Sequence, residues 1–393
     1  MTGQVSYRPG GGEAWRDPWP AYAALRDREP VNHVADGDFY VLSRHADVMA
    51  AAIDHATWSS ARGLSVADDE LERIGMADSP PLVMQDPPVH TAFRKLVARG
   101  FTPRQVVALE PQVRTFVTER LDRLADAGGG DVVAELFKPL PSMVVAHYLG
   151  VPAEGREQFD GWTEAIVAAG AAGDTLDAGD AVAAMLGYFT ELVELRRREP
   201  GDDTVSHLVA AGADGPDLLA VLGYVFTMVT GGNDTTTGLL GGAVQLLAEH
   251  PDQRSLLVSD PGLVPDAVEE LLRLTSPVQG LARTATRDVT LHGVTVPAGR
   301  KALLLYGAAN RDPRRYGPDA DGLDVTRRPG QLLTFSQGNH HCLGAAAARL
   351  QARVALEELL RRFPSYGVDA EAITWAPGPY VRRPLTVPFR TVA

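Results

Sequence analysis

The chain has 393 residues, a formal net charge of −13 at pH 7 and one cysteine; 45% of its residues are hydrophobic and 22% are charged. The acidic total argues against nucleic acid as a partner, since proteins that bind nucleic acid present basic surfaces. One cysteine excludes an internal disulfide and a multi-cysteine metal site. No linker or low-complexity tract divides the sequence, so we expect one domain over residues 1–393.

Cellular location is predicted from the same features. Scarce cysteine and the lack of a signal-peptide pattern favour a cytoplasmic protein. No apolar run reaches the roughly 20 residues that span a bilayer, so no membrane anchor is expected. The simplest expectation for the oligomeric state is a monomer.

Helical periodicity dominates the chain in sequence order. It predicts helices at Pro18–Arg28, Ala46–Ile53, Val89–Ala98, Pro103–Ala127, Asp180–Arg198 and Leu218–His250. Strand patterns are short and lie at Phe39–Ser43, Val289–Val296 and Leu385–Arg390. The run Gly128–Gly130 is predicted as a loop. The pattern predicts a mainly α fold with small peripheral β-sheets.

The segment Thr230–Gly238, within the longest helical pattern, reads TGGNDTTTG. Helix interiors normally avoid glycine pairs and threonine runs, and an unpaired carboxylate such as that of Asp234 is costly among apolar neighbours. Local rules broken together indicate a functional site. On pattern alone, a helix kink with threonine hydroxyls bonded to the backbone explains the segment equally well.

A carboxylate and a guanidinium three residues apart, Glu270 and Arg273, share one face of the next predicted helix and can pair. Alone this signal is weak, because surface helices commonly carry such pairs. Glu269 also offers Arg273 a competing partner four residues away.

Cys342 lies in the stretch FSQGNHHCLG, which runs from Phe335 to Gly344. An isolated cysteine is most often a small buried hydrophobe. Here, however, glycines flank the cysteine and a good helix former begins at Leu343, so the sulfur falls at a helix N-terminus. The N–H groups and positive dipole end of such a helix favour the thiolate.

This layout closely resembles the haem-binding signature of the cytochrome P450 family, since Phe335, Gly338, Cys342 and Gly344 match its four fixed positions. Many bacterial members have glycine where Ser336 stands. The resemblance implies the cytochrome P450 fold and haem b whose iron is ligated by Cys342.

Two further motifs fall in the family's order. The segment Thr230–Gly238 resembles the oxygen-binding groove of the distal helix, with Gly231 and Gly232 making room and Asp234 and Thr235 as an acid–alcohol pair. Glu270 and Arg273 match the family's buried structural pair. A third basic residue usually joins that pair, but Gly322 occupies the place where arginine is common. The sequence leaves open whether Arg327, Arg328 or nothing replaces it.

The haem propionates need cationic hydrogen-bond partners. By resemblance, four residues fit this role. They are His90, Arg94, Arg283 and His340.

The resemblance implies a monooxygenase that inserts one oxygen atom from O2 into a hydrophobic small molecule. Electrons would come from NAD(P)H through a separate ferredoxin and ferredoxin reductase, and Lys95, Arg99, Arg104, Arg349 and Arg353 are candidates for the docking face. Substrate-facing segments are expected near residues 62–83, 161–188, 225–230, 278–281 and 378–381. The alternatives are a peroxide-driven peroxygenase and a non-catalytic haem protein that binds or senses ligands.

Overall fold

The computed structural model describes residues 5–172, 178–212 and 215–392, and helices dominate these ranges. The α-helices are α1 (Trp19–Arg28), α2 (His45–Ile53), α3 (Glu70–Arg73), α4 (Val89–Val97), α5 (Pro103–Asp126), α6 (Pro139–Leu149), α7 (Arg156–Ala172), α8 (Gly179–Arg198), α9 (Thr204–Val209), α10 (Leu218–Glu249), α11 (Pro251–Ser259), α12 (Val264–Thr275), α13 (Tyr306–Ala309), α14 (Pro313–Tyr316) and α15 (Ala345–Arg362).

The strands are short and form small sheets. They are β1 (Val31–Val34), β2 (Phe39–Leu42), β3 (Trp58–Ser59), β4 (Gly129–Asp131), β5 (Leu281–Ala285), β6 (Val289–Leu291), β7 (Val294–Val296), β8 (Lys301–Leu304), β9 (Tyr366–Val368), β10 (Thr374–Trp375), β11 (Pro384–Thr386) and β12 (Pro388–Thr391). The largest sheet has the order β1-β2-β8-β5-β3, and only its β2–β8 pair is parallel. A second sheet has the order β4-β12-β9, and β10–β11 and β6–β7 form separate pairs. The predicted mainly α fold with small sheets is confirmed.

Capping side chains explain where the long helices begin. Thr102 and Gln105 form a reciprocal capping box at the start of α5, and the Asp217 side chain accepts a hydrogen bond from the Ala220 amide at 2.8 Å at the start of α10. All six predicted helices are present, with ends within two residues of those expected. No helix among the described residues combines the length and apolar character needed to cross a bilayer.

Three of the strand and loop predictions need correction. The predicted strand Leu385–Arg390 is divided between β11 and β12, which belong to different sheets. The predicted strand Val289–Val296 is a hairpin of β6 and β7, because His292 and Gly293 both have positive φ, 51° and 80°, and reverse the chain. The glycine run predicted as a loop continues into β4, which pairs with β12. A Cβ atom at Gly129 would lie 2.4 Å from the Phe389 carbonyl oxygen, so this close pairing requires glycine.

Helix α10 lies between the two largest hydrophobic clusters and is buried along most of its length. Its C-terminal half packs with α5, α12 and α15, whereas its N-terminal half packs with α6 to α9. Leu343, beside the cysteine, packs against the same cluster as Val225 and Val229 of α10. The cysteine loop and the centre of α10 are thereby brought to one region of the molecule.

Candidate active site

A tightly bonded loop leads to Cys342. The Cys342 amide donates a hydrogen bond to the Phe335 carbonyl oxygen at 2.8 Å, and the Ser336 amide donates to that of Leu333 at 2.9 Å. Ser336 has a φ of 56°, a left-handed conformation that glycine adopts more easily. The serine therefore takes the backbone conformation that a glycine would have at this position. The Tyr306 hydroxyl donates to its Oγ at 3.3 Å.

Gly338 fixes the loop against α2. Its φ is 67°, and a Cβ atom there would lie 3.0 Å from the carbonyl oxygen of Ala52 and from the Cα of Ile53. Any side chain would push the loop away from α2, so glycine is needed at this position. Glycine at this position therefore fixes where the cysteine loop packs against α2.

The Cys342 side chain is exposed within its loop, but the surrounding protein is dense, and this burial raises the pKa of the thiol. A hydrogen bond from the Gly344 amide and the charges of Arg94 and Arg349 oppose that rise without cancelling it. The backbone at the helix end does favour the thiolate, as expected, but desolvation of the protein alone outweighs it. A coordinated cation deprotonates a thiol regardless, so the residue remains suited to ligate iron.

Phe335 is half-buried, and the Arg349 guanidinium lies 4.6 Å from the centre of its ring. It packs against the core cluster that contains α15. The ring thus anchors the start of the loop, while the hydrogen bond from Cys342 to its carbonyl ties the two ends together.

The four residues predicted for the propionates, His90, Arg94, Arg283 and His340, converge from α4, β5 and the cysteine loop. The imidazole rings of His90 and His340 lie 4.3 Å apart. Burial, followed by the charges of Arg283, His90 and Arg94, lowers the pKa of His340 to about 3. Arg94 donates a hydrogen bond to the His341 carbonyl oxygen.

This cluster has unused hydrogen-bonding capacity. His90 Nδ1 and His340 Nε2 are buried without a partner among the described residues. The negative charge of Asp86 opposes the lowering of the His90 pKa. The Asp86 carboxylate does not pair with the histidine, because it accepts hydrogen bonds from Ser59 and Ser60. Unpaired nitrogens beside two arginines fit the two carboxylates of haem, together with a cysteine at the end of the same loop.

Residues Thr230–Gly238, whose types are unusual in a helix interior, form an uninterrupted part of helix α10. The Thr235 hydroxyl donates a hydrogen bond to the Gly231 carbonyl oxygen at 2.8 Å. Gly231 faces open space, because no atom lies within 4 Å of the position of a Cβ atom there. Gly232 differs from the expectation: its Cβ would lie 2.6 Å from Cγ2 of Val145, so it makes room for α6.

Asp234 lines a cavity of about 250 Å³ between α6, α7 and α10. Arg383 Nε lies 2.9 Å from Asp234 Oδ1, and both side chains are largely buried. Burial raises the pKa of Asp234 to about 6, although the charges of Arg383 and Lys138 oppose the rise. Sequence analysis missed Arg383, because nothing local marks it as the partner of a helix so distant in sequence.

Most residues that line the cavity beside Asp234 have polar side chains, and we call it the polar cavity. Asn233 Oδ1 and Thr163 Oγ1 line it and are buried without a partner among the described residues. Its outer part is lined by the exposed ion pair of Lys138 and Glu164. A polar space of this size with several unpaired groups is suited to ordered water.

Glu270 and Arg273 are fully buried, and Arg273 donates two hydrogen bonds to the Glu270 carboxylate, each at 2.7 Å. Arg327 is the third basic residue beside this pair, in place of an arginine at position 322, because its Nε donates to Glu270 Oε1 at 3.2 Å. Gly322 contributes only its carbonyl oxygen, which accepts from Arg273. Arg328 is exposed and pairs with Asp266, and the possible competitor Glu269 pairs with Arg349.

The segments expected to face a substrate are only partly described. Val278 and Val381, from two of these segments, form an isolated β-bridge and are both half-buried. Residues 173–177 of the segment expected at 161–188 lie outside the described residues.

Comparisons with known proteins agree with this geometry. The cytochrome P450 family model matches residues 262–366. Cytochrome P450 130 of Mycobacterium tuberculosis is 66% identical over 391 residues, covering 97% of this chain and 96% of that protein. Vitamin D(3) 25-hydroxylase of Pseudonocardia autotrophica is 38% identical, covering 92% and 90%. The crystal structure of a Bacillus megaterium cytochrome P450 in complex with testosterone superposes with a TM-score of 0.85 at 29% identity, covering 96% of this chain and all of that one.

Proposed function

Because this chain belongs to the cytochrome P450 family and is therefore a haem monooxygenase, we propose that it oxygenates a hydrophobic small organic molecule with protons supplied through Asp234 and Thr235. The family binds haem b through a cysteine thiolate, and Cys342 is the only cysteine, so Cys342 is the iron ligand. When bound, the haem supplies the oxidising chemistry, which the electron-rich thiolate favours.

The proposal rests on two neighbouring residues of α10, Asp234 and Thr235, that line different spaces. Thr235 lies on the face that opens beside Gly231, where its hydroxyl donates its proton to one carbonyl oxygen, so donation to dioxygen requires the hydroxyl to turn away from Gly231. Asp234, the preceding residue, faces the polar cavity. With a pKa of about 6, its carboxyl group both accepts and releases a proton near neutral pH. Together they form a proton path from the cavity to the site, with Arg383 holding the carboxylate in its resting position.

The four-residue cluster holds the cofactor in this proposal. Arg94 and Arg283 neutralise the propionates, while His90 and His340 donate hydrogen bonds from nitrogens that otherwise lack partners. Glu270, Arg273 and Arg327 have a structural role, because they tie α12 to the segment that leads into the cysteine loop.

We propose steroid-like compounds as the first substrate class to test. Two of the proteins compared above carry vitamin D and testosterone in their names or structures, and both molecules are largely apolar polycyclic compounds. A hydrophobic pocket with few polar groups suits such ligands.

The proposed electron donors are a ferredoxin and its reductase, which draw on NAD(P)H. Among the five basic residues considered for docking, Lys95, Arg99 and Arg104 are exposed and form no ion pair among the described residues. Arg349 and Arg353 are instead held by Glu269, Glu110 and Glu357. The first three therefore make the better docking face for an acidic partner.

Turnover by Thr235→Ala tests the proposal. The variant should bind haem and substrate as the wild type does, yet consume NAD(P)H with much less product and more hydrogen peroxide, because protonation of the reduced oxygen fails. Product, peroxide and NAD(P)H are measured together with a surrogate ferredoxin system. Thr118→Ala is the matched control, since the Thr118 hydroxyl makes the same bond to a carbonyl four residues earlier, in α5.

Each rival gives a different result. Equal coupling in wild type and Thr235→Ala would contradict the acid–alcohol assignment. Faster product formation with added peroxide than with NAD(P)H would indicate the peroxygenase, and spectral binding without any product would indicate the ligand-binding protein.

A further inference from the structure

A second cavity, of about 220 Å³, is lined by the C-terminal parts of α10 and α12 together with Arg311 and Arg382. It reaches Gln245 and Glu249 at the C-terminal end of α10, 14 or more residues beyond Gly231. At 1.5 Å per residue, that separation is about 20 Å along the helix. The cavity is thus distinct from the haem site, and it shares no lining residue with the polar cavity beside Asp234.

Arg382 forms one wall of this cavity and is 6% exposed. Its Nε donates to the Trp15 carbonyl oxygen at 2.6 Å, and its guanidinium stacks 4.0 Å from the ring centre of Trp375 and 5.3 Å from that of Trp19. No carboxylate pairs with it among the described residues. Its Nη1 has no acceptor there and points towards Gly242, at the cavity wall.

Arg311 faces the same cavity and is 5% exposed. Its guanidinium lies 3.6 Å from the ring centre of Trp19, and its Nε is buried without a partner among the described residues. Its carboxylate, Asp321, is itself exposed and is shared with Arg26, another buried arginine 3.9 Å away. One exposed carboxylate therefore serves two buried guanidiniums.

Neither buried guanidinium at this cavity pairs with a buried carboxylate among the described residues. A buried charge without a counter-ion is costly, and burial lowers the pKa of Arg382 to about 9 and that of Arg311 to about 10. The planar guanidinium is also the side chain best suited to bind phosphate and carboxylate oxygens. Trp19 and Trp375 hold the two guanidiniums in place, so little ordering would accompany binding.

We propose that this cavity binds an oxyanion of the phosphate type, with Arg311 and Arg382 as its ligands and Trp19 as the platform between them. The unpaired Nε of Arg311 and Nη1 of Arg382 are the expected donors. Arg16 is a weaker candidate, because each of its nitrogens already donates to Glu13 or to a carbonyl oxygen of Ala370, Glu371 or Ile373.

Two acidic residues oppose the proposed anion. Glu249 and Glu371 line the cavity and are exposed, and Glu249 and Asp17 act on Arg382 at a distance. Glu249 is the rival counter-ion, since a rotation of its side chain would bring a carboxylate towards the arginines. The two explanations predict opposite effects of removing its charge, and this makes the proposal testable.

The experiment measures binding of inorganic phosphate to the haem-loaded protein by calorimetry, at constant ionic strength with chloride as the background salt. One saturable site is expected. Arg382→Met should weaken the affinity at least about tenfold, as expected for loss of a charge-assisted contact. Glu249→Gln should tighten it roughly fivefold by removing a repulsive charge. Arg362→Met, which removes an exposed arginine paired with Asp122, is the control and should change nothing.

No saturable binding, or equal affinity in wild type and Arg382→Met, would overturn the proposal. So would a Glu249→Gln variant that loses stability and binds no phosphate, because Glu249 would then be the counter-ion. Glu249 is exposed, so its variant folds even if Arg382→Met does not. Phosphate should leave the haem spectrum unchanged, which separates this site from the proposed oxygenation chemistry.

Discussion

Ser336 adopts a backbone conformation that disfavours every residue except glycine, with a φ of 56° just six residues before the iron ligand. The left-handed region costs an L-residue about 1–2 kcal/mol, and most for β-branched side chains. The Tyr306 hydroxyl compensates only in part, through a long hydrogen bond of 3.3 Å. The loop thus keeps its shape without the usual glycine.

Substitutions at Ser336 should follow this conformational preference. Ser336→Gly should leave the free energy of unfolding within about 1 kcal/mol of wild type, since relief of strain offsets the greater freedom of glycine in the unfolded chain. Ser336→Val should lower it by about 2 kcal/mol or more and reduce haem content. Chemical denaturation and haem absorbance measure both. A valine variant as stable as the glycine variant would contradict the role given to this φ angle.

The pKa of Asp234 predicts a pH-dependent stability. Its folded value of about 6 lies above the ordinary 3.8, so the native state holds the proton more tightly than the unfolded state. The resulting stabilisation is present below pH 3.8 and is lost as the pH rises through 6, a change of about 3 kcal/mol. Asp234→Asn cannot titrate. Its free energy of unfolding should therefore gain about 2.4 kcal/mol of this change relative to wild type between pH 4 and pH 7, as denaturation at both values would show. A pH-independent difference would mean that the carboxyl group is not desolvated.

At the scale of elements, α12 is joined to the segment before the cysteine loop by a buried group of charges. Arg273 also donates to the carbonyl oxygens of Asn310 and Ala320, so one side chain links three parts of the chain. Glu270 receives hydrogen bonds from both Arg273 and Arg327. Loss of one member leaves the others buried and unpaired.

Arg273→Ala should destabilise the protein by about 3–5 kcal/mol and yield little haem-loaded protein, because it leaves the Glu270 carboxylate buried with one weaker partner. Arg327→Met should cost less, since both bonds from Arg273 remain. Arg328→Met removes an exposed ion pair and should cost at most about 1 kcal/mol. Unfolding free energies and haem content rank the three variants. An Arg273→Ala protein that expresses well and is fully loaded with haem would show that the pair does not contribute to stability.

The helices could be predicted because their signals are local. The capping residues Thr102 and Asp217 and the apolar periodicity after them lie in contiguous sequence, so α5 and α10 were located to within two residues. The hairpin at Val289–Val296 was missed because His292 precedes Gly293 at a turn, where histidine gives no strong turn signal.

At the scale of the whole molecule, contacts between distant segments could not be predicted. Cys342, its loop and the acid–alcohol pair have local sequence patterns, whereas Arg383 as partner of Asp234 depends on how the C-terminal strands pack against α10. Arg327 as the third charge beside Glu270 likewise depends on the path of the chain after α14. The net direction of the Cys342 pKa could not be predicted for the same reason, since the desolvation that raises it is a property of the folded surroundings.

Helix α10 lines three separate spaces of the molecule: the haem site, the polar cavity and the arginine-lined cavity. Gly231 and Thr235 face the site, Asp234 and Asn233 face the polar cavity, and Gln245 and Glu249 reach the arginine-lined cavity. The rest of the site, namely the iron ligand and the four residues proposed for the propionates, lies outside this helix.

The most direct test of the account is the spectrum of the reduced carbon monoxide complex of wild type and Cys342→Ser. We expect the wild type to bind one haem and to show the red-shifted band of thiolate ligation, because Cys342 is the only thiol in the chain. The serine variant should lose that band while keeping most of its helical circular dichroism, since the loop is held by backbone bonds and by Gly338. A Cys342→Ser protein that retains the red-shifted band would contradict the assignment of the ligand and the site built around it.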